Sequence, residues 1–325
     1  MKITARAHSN IAFIKYWGRK DEILRLPTNG SISMNLSNLF TTTTVEFSKE
    51  FNEDSVLVND EIHEGTNERI IKHLDRVRSM ISSSLKAKVV SENNFPIGTG
   101  LSSSASGFAA LSLAASKAIG LDLSEKELSI LARQGSGSAC RSIPDGFVEW
   151  IDGDTNETSY SESIFSSNHW DIMDFVVIVS KEKKDIPTSE GQKRVESSFF
   201  FKKRLSHIKE KITNCKKLIQ ERNFSEFGKL IEMEALELHA IMITSWPSLI
   251  YWLPQSIYVM KSVQRWRNNG LEVYFTVNTG QDIHIICQKK DQAEVIKKIK
   301  ELENVIRIIP NHPFRGAYLT AEHLF

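Results

Sequence analysis

Cysteine is nearly absent from this chain, with three in 325 residues. Cys140, Cys215 and Cys287 are odd in number and far apart, and no Cys-x-x-Cys step occurs, so neither a disulfide framework nor a zinc site is supported. Long apolar runs are missing too. None approaches the ~20 residues that span a bilayer, and the opening MKITARAHSN lacks the apolar stretch of a signal peptide. No membrane partner and a cytoplasmic location are therefore expected. Charge of one sign is also lacking. Lys and Arg number 41 against 40 Asp and Glu, for a net charge of +1, which gives no reason to expect nucleic acid or an acidic lipid surface as partner. No internal repeat or low-complexity tract is present.

What remains is an ordinary globular composition, 41% hydrophobic and 25% charged, in a length that suits one large domain or two packed ones. Thr41–Phe47 is β-branched and alternating, which predicts a strand. Ile70, Ile71, Leu74, Val77 and Ile81 predict a helix over Asn67–Ser82. After a strand at Lys86–Val90, Ser103–Ile119 is apolar almost all round and predicts a buried helix. Ser124 and Glu127 form a capping box that opens a further helix to about Arg133. Asp174–Ser180 (DFVVIVS) predicts a central strand, and the following KEKKD a solvated turn and domain boundary. Helices over Phe200–Gln220, Ser225–Ala240 and Pro254–Asn268 come next. Strands at Glu272–Val277 and Ile283–Gln288, a helix at Ala293–Glu301 and a strand at Val305–Ile309 complete an α+β second domain. The stretch ITSWPSLIYWLP is assigned to the core.

Three clusters could carry chemistry. Pro96–Gly107 (PIGTGLSSSASG) sets Gly98 and Gly100 before the hydroxyls of Ser102, Ser103 and Ser104 at a helix start, where free N–H groups and the dipole favour anions. No Gly-Lys-Ser/Thr follows, so this is not a Walker A loop, and a serine-rich helix cap is the competing reading. Gly135–Ser142 (GSGSACRS) offers Ser136, Ser138 and the planar fork of Arg141, against a small-residue packing seam with a surface arginine. Lys15 ends an apolar, strand-like run, where a charge is costly unless it meets an anion or reaches solvent. Tyr16 and Arg19 could add donors beside it.

Taken in order, SNIAFIKYWGRKD, LPTNGSISMNL, SENNFPIGTGLSSSASGFAAL, GSGSACRSI with GFVEW, and YFTVNTG resemble the mevalonate diphosphate decarboxylase family, over about Ala7 to Gln288. The resemblance implies an α+β GHMP-kinase fold. An N-terminal ribosomal-protein-S5-like domain would occupy 1–182, and a C-terminal ferredoxin-like α/β sandwich 183–325, commonly in a homodimer. It implies that Lys15, Tyr16, Arg19, Ser136, Ser138 and Arg141, joined by Arg78, bind the carboxylate and phosphates of a phosphorylated mevalonate. The Pro96–Gly107 loop would take ATP phosphates, and Thr188 and Ser189 would lie on a flap.

One position departs in a way that bears on chemistry. Where the family reads Thr-x-Asp-Ala-Gly-Pro-Asn, this chain has Thr276-Val277-Asn278-Thr279-Gly280-Gln281-Asp282. An amide cannot take the proton of a substrate hydroxyl, and losing a general base costs ~10²–10⁴ in rate. The expectation is therefore an ATP-independent lyase that converts mevalonate 3,5-bisphosphate to isopentenyl phosphate, with no nucleotide and no metal. Lys15 and Arg141 would stabilise the leaving phosphate beside Asn278. The alternative is an ATP- and Mg-dependent decarboxylase of mevalonate phosphate or diphosphate, with Asp282 or Asp145 as a displaced base. A third reading is an inactive paralogue that senses isoprenoid intermediates. His239 receives no role.

Overall fold

The computed structural model describes residues 1–62, 64–96, 98 and 100–325. Strand β1 (Lys2–Ile14) is followed by a short hairpin, β2 (Arg19–Asp21) and β3 (Leu26–Pro27), and by β4 (Ser31–Ser48). The TTTTVEF stretch lies inside β4, which pairs antiparallel with β1 from Lys2↔Glu46 to Ile14↔Ile32. The register slips between His8 and Asn10 and again between Ala12 and Ile14. Such irregularities re-aim side chains, and this one turns Asn10 and Ala12 toward the site described below.

β5 (Ser55–Val58), α1 (Glu64–Ser79) and β6 (Lys86–Asn93) extend the sheet, with β5 parallel to β6. α1 stops three residues short of its expected end, and Ser82 beyond it turns left-handed at φ 52°. α2 (Ser103–Ile119) and α3 (Glu125–Gly135) cover one face, and the Ser124–Glu127 capping box forms in both directions. The many alanines of α2 let it lie close on Ala5, Ala7, Val45 and Val89, because small side chains bring a helix near a sheet. β7 (Phe147–Trp150) pairs with β4, and β8 (Ser161–Phe165) with β7.

The second sheet begins with β9 (Ile172–Ile178), which is followed in the chain by four helices: α4 (Thr188–Gly191), α5 (Phe201–Glu221), α6 (Phe224–Thr244) and α7 (Pro254–Asn268). β10 (Val273–Thr276), β11 (Ile283–Gln288), α8 (Gln292–Lys300) and β12 (Arg307–Asn311) complete it, in the antiparallel order β10-β11-β9-β12. Phe175 and Val177 of β9 face α7 and α8, while Val176 and Ile178 join Ile208, Phe227 and the N-terminal Ile11 and Phe13. Burial on both faces explains the unbroken run DFVVIVS. β9, ahead of the expected boundary at 182, is hydrogen-bonded into the second sheet, and β13 (Tyr318–Thr320) returns to pair with β1. ITSWPSLIYWLP is likewise only partly core. Leu249 and Tyr251 are buried, whereas Trp246 and Ile250 are 79% and 69% exposed. No helix is long and apolar enough to cross a membrane among the described residues.

α5 and α6 lie between the two sheets, so their packing fixes one half against the other. At Gly228 of α6, a Cβ would stand 2.0 Å from the buried Tyr274 ring. Gly228→Ala is expected to destabilise the fold by about 1–3 kcal/mol through overpacking, read as a lower urea midpoint at unchanged slope.

Candidate active site

A cavity of about 750 Å³ opens where the end of β1, the start of α2, the Gly137–Ser142 turn and the 276–280 turn converge. Lys15 stands at its floor, 2% exposed. Its Nζ donates to Ala12 O at 2.6 Å, to Thr276 Oγ1 at 2.8 Å and to Asn278 Oδ1 at 3.4 Å. Burial pulls this ammonium from its usual 10.5 down to about 7; Glu234 opposes that shift, and Arg141 reinforces it. No carboxylate is among the described residues that line the cavity.

Asn278 uses both ends of its amide. Oδ1 accepts the Ala12 N–H at 3.4 Å, while Nδ2 donates to Asn10 O at 3.4 Å and to Ser102 Oγ at 3.2 Å. A carboxylate here would turn an acceptor onto Asn10 O, and its charge would hold Lys15 protonated. His239, given no role from sequence, donates through Nε2 to Asn278 O at 2.9 Å and stacks on Trp252 with ring centres 4.4 Å apart. Burial lowers its pKa to about 3, so the ring is neutral.

On the wall beyond, Arg141 is buried and donates to Ser31 Oγ at 2.7 Å and Asn10 Oδ1 at 3.2 Å. Its Nε has no partner among the described residues. Ser136 and Ser138 lie on the same wall, with Ser136 Oγ 3.1 Å from Ser104 Oγ. Tyr16 accepts from Arg19 Nε at 2.9 Å, and Arg19 also pairs with the exposed Glu22 at 2.6 Å. Two further arginines join them. Arg25 and Arg69 donate only to the carbonyls of Gln134 and Gly135 among the described residues. Burial, followed by repulsion from Arg19 and Arg69, lowers Arg25 to about 10. Cations at this density, with only Arg19 meeting a carboxylate among the described residues and that one exposed, call for an anion.

The glycine–serine loop roofs the site. Gly100 takes φ +109°, and a Cβ there would meet Gly280 Cα at 2.5 Å, so the two turns touch only because residue 100 is glycine. Gly98 is left-handed as well, at φ +84°, and Ser102 adopts φ 59° at the start of α2. Ser102, Ser103 and Ser104 line the cavity at the first turn of α2, where a helix leaves N–H groups without intrahelical partners. Ile97 and Thr99 of this loop lie outside the described residues. Across the opening, Thr188 Oγ1 lies 2.8 Å from Thr279 Oγ1, with Ser189 beside it.

Several expectations need correction. Arg78 does not reach the cavity: Asp54 holds it bidentately at 2.9 Å and Asp75 takes its remaining face, which locks it against β5 and β6. Asp145 accepts the Gly316 N–H at 2.7 Å and Asp282 accepts the Val179 N–H at 3.0 Å, both away from the cavity lining. KEKKD is not wholly solvated. Lys184 folds inward onto Thr188 Oγ1 and Thr279 O, each at 2.6 Å, and burial lowers it to about 8. Sequence reading missed Arg25, Arg69 and Lys184. Arg69 lines the cavity beside Ile70, and nothing local distinguishes it from Arg76 and Arg78 on the same helix.

A two-sheet α+β body with a glycine–serine loop opening a buried helix over a cationic cavity defines a protein of the GHMP superfamily. The chain belongs to the diphosphomevalonate decarboxylase family. Residues 7–161 match the diphosphomevalonate decarboxylase-like N-terminal domain, and residues 174–312 match the mevalonate 5-diphosphate decarboxylase C-terminal domain. It is 34% identical to the diphosphomevalonate decarboxylase of Aspergillus fumigatus, over 93% of this chain and 80% of that one. It is 33% identical to the phosphomevalonate decarboxylase of Haloferax volcanii, over 88% of each. The structure of MDDEF in complex with MVAPP, AMPPCP and magnesium superimposes with a TM-score of 0.93 at 35% identity, covering 98% of this chain and 99% of that one. That complex overturns the expectation of no nucleotide and no metal, since its site holds an ATP analogue and magnesium together with MVAPP.

The different settings of two arginines on α1 can be separated. Arg78→Met strips a buried carboxylate of its partner and is expected to cost about 3 kcal/mol. Arg69→Met removes a cation held by one carbonyl and the face of the Phe108 ring, with no carboxylate left unpaired, and is expected to cost about 1 kcal/mol. Urea melts of the two variants check the contrast.

Proposed function

We propose that this chain decarboxylates mevalonate 5-diphosphate in an ATP-dependent reaction, with the Lys15 amine as the base that takes the 3-hydroxyl proton. The observation behind this reading is a buried amine, lowered to about 7, beside Asn278 in a cavity lined by cations and, among the described residues, no carboxylate. Removing the acid at 278 and freeing the amine from protonation are a single physical change. The displaced-aspartate version of this chemistry loses its support, because Asp145 and Asp282 are committed to backbone N–H groups elsewhere.

The cavity's own residues suit the two ligands. Arg19, Arg25 and Arg69 bring three positive charges to one end, matching a diphosphate better than a monophosphate. Arg141 with Ser136 and Ser138 takes the carboxylate. Gly98, Gly100, Ser102, Ser103, Lys184 and the α2 N-terminus cradle the triphosphate of ATP as substrate. Magnesium would be held mainly by phosphate oxygens and water, beside the Ser102–Ser104 hydroxyls, and it would neutralise charge on the transferring group. The described residues contain no group of three or more acidic, His or Cys ligands to cage it.

In the first step Lys15 Nζ takes the 3-hydroxyl proton as that oxygen bonds the γ-phosphorus and ADP departs. In the second, the C3–O bond breaks and phosphate leaves with its electron pair. The C1–C2 bond then supplies the C2–C3 double bond as carbon dioxide leaves, giving isopentenyl diphosphate. The ammonium formed in the first step faces the departing phosphate in the second.

Because the neutral amine is the active form, kcat/KM should rise with pH through about 7 and level off above it. Lys15→Met should lose that limb and about 10²–10⁴ in kcat. Carbon dioxide release from mevalonate 5-diphosphate only when MgATP is added supports the reading. Release from mevalonate 3,5-bisphosphate in EDTA without nucleotide overturns it, and silence with every substrate leaves a sensing paralogue.

We also infer a homodimer through the outer face of α6. Met233, Leu236 and Ile243 are exposed there at helical spacing, 65%, 38% and 39%, next to the exposed Trp246 and Ile250. An apolar stripe opposite a helix's buried face marks a contact surface. Sedimentation velocity should give a dimer, and Ile243→Asp a monomer.

A further inference from the structure

The peptide groups on both sides of Lys15 are held by side chains that never touch the cavity. Glu234 of α6 accepts the Lys15 N–H through Oε1 at 3.0 Å. Arg204 of α5 donates through Nη2 to Lys15 O at 2.9 Å, and Asn29 Nδ2 donates to the same oxygen at 2.9 Å. Arg204 and Glu234 pair with each other, and both side chains are 0% exposed. Behind them, Lys211 Nζ meets Glu234 Oε2 at 2.9 Å, Glu237 takes Arg204 Nη1 at 3.1 Å, and His207 lies 3.3 Å from Glu237. An ion pair sunk between two sheets is an expensive way to satisfy one peptide N–H and one carbonyl, since a hydrophobic pair of the same shape serves stability as well or better.

We propose that Glu234 and Arg204 are positioning residues for Lys15, gripping its backbone from both sides so that the amine is fixed over residue 278, and setting its charge balance from behind. This rests on the reading of Lys15 as the base. The chain stops being a strand at Ile14, and among the described residues no strand pairing continues past it to hold Lys15. Its four-carbon stem has many rotamers, so the amine is fixed only if its Cα is. The grip supplies that fixed point. The two charges also act on the amine in opposite senses, Glu234 favouring the ammonium and Arg204 disfavouring it.

Variants at the pair should therefore move the acid limb of the kcat/KM profile in opposite directions. Glu234→Gln keeps an acceptor for the Lys15 N–H but loses the charge, and the limb is expected to fall by on the order of one pH unit. Arg204→Met leaves Glu234 charged beside Lys211, and the limb is expected to rise, with kcat at least about tenfold lower from the lost grip. Should Arg204→Met fail to fold, Arg204→Lys retains the charge without the two-armed reach, and there kcat alone should drop at an unmoved limb. KM for both substrates should change less than about twofold, because neither residue touches them. A limb that stays put in Glu234→Gln, with kcat intact in the arginine variants, makes the pair merely structural and overturns the proposal. A limb that survives Lys15→Met overturns the base reading instead, and the two failures are distinct.

Discussion

The burial of one amine among other cations is the constraint on which the rest of this site depends. Lys15 lies on the floor of a cavity lined by Arg19, Arg25, Arg69, Arg141, Lys183 and Lys184, with no carboxylate among the described lining residues. Charges so placed repel and lose hydration, and each can lower that strain by shedding a proton, finding a dipole or meeting an anion. The arginines cannot shed protons: Arg25, Arg69 and Arg141 rely on carbonyl, amide and hydroxyl oxygens, and Arg19 on the exposed Glu22. Lys15 can, and its ammonium is drawn down to about 7. An empty charge balance of this kind is a binding potential for polyanions, and it prepares the one group able to change protonation state near neutrality.

Two features keep the cavity from collapsing. α5 and α6 fill the space between the sheets with a core that runs from Ile11 and Phe13 through Phe227 to Val176 and Ile286, so the halves meet as packed bodies. Above it, the glycine–serine loop and the 276–280 turn touch backbone to backbone at Gly100 and Gly280. That contact brings Asn278 under the start of α2, where its amide bridges Asn10 and Ser102. The amide is thus a structural tie as well as the residue that stands where the family carries an acid.

Much of this was legible in the residues. Helix α2 occupies the very span its composition indicates, the capping box at Ser124 forms in both directions, and the apolar run of β9 is buried on both faces. The loop glycines, the serines and the Lys15, Tyr16, Arg19 and Arg141 side chains gather at one cavity, as their clustered motifs suggest. Errors arose where identical residue types have different fates. Arg69 and Arg78 lie on one helix, yet only Arg78 meets a carboxylate, because Asp54 at the start of β5 stands opposite it. Lys184 sits in a charge run, and its turn inward is decided by Thr188 and by Thr279, almost a hundred residues away in sequence.

The sequence by itself determined the local periodicities, the caps, the glycine-dependent turns and the family, since these depend on neighbours within a few residues or on motifs preserved in order. Tertiary structure alone decided protonation and partnership: which arginines stay unpaired, that Asp145 and Asp282 serve backbone N–H groups, that β9 joins the C-terminal sheet, and that a buried ion pair from α5 and α6 grips Lys15. The physical reason is range. Backbone conformation is set largely by local sterics and hydrogen bonding, whereas desolvation and Coulomb interaction are fixed by whatever the whole fold brings within a few ångströms, and no linear spacing encodes that.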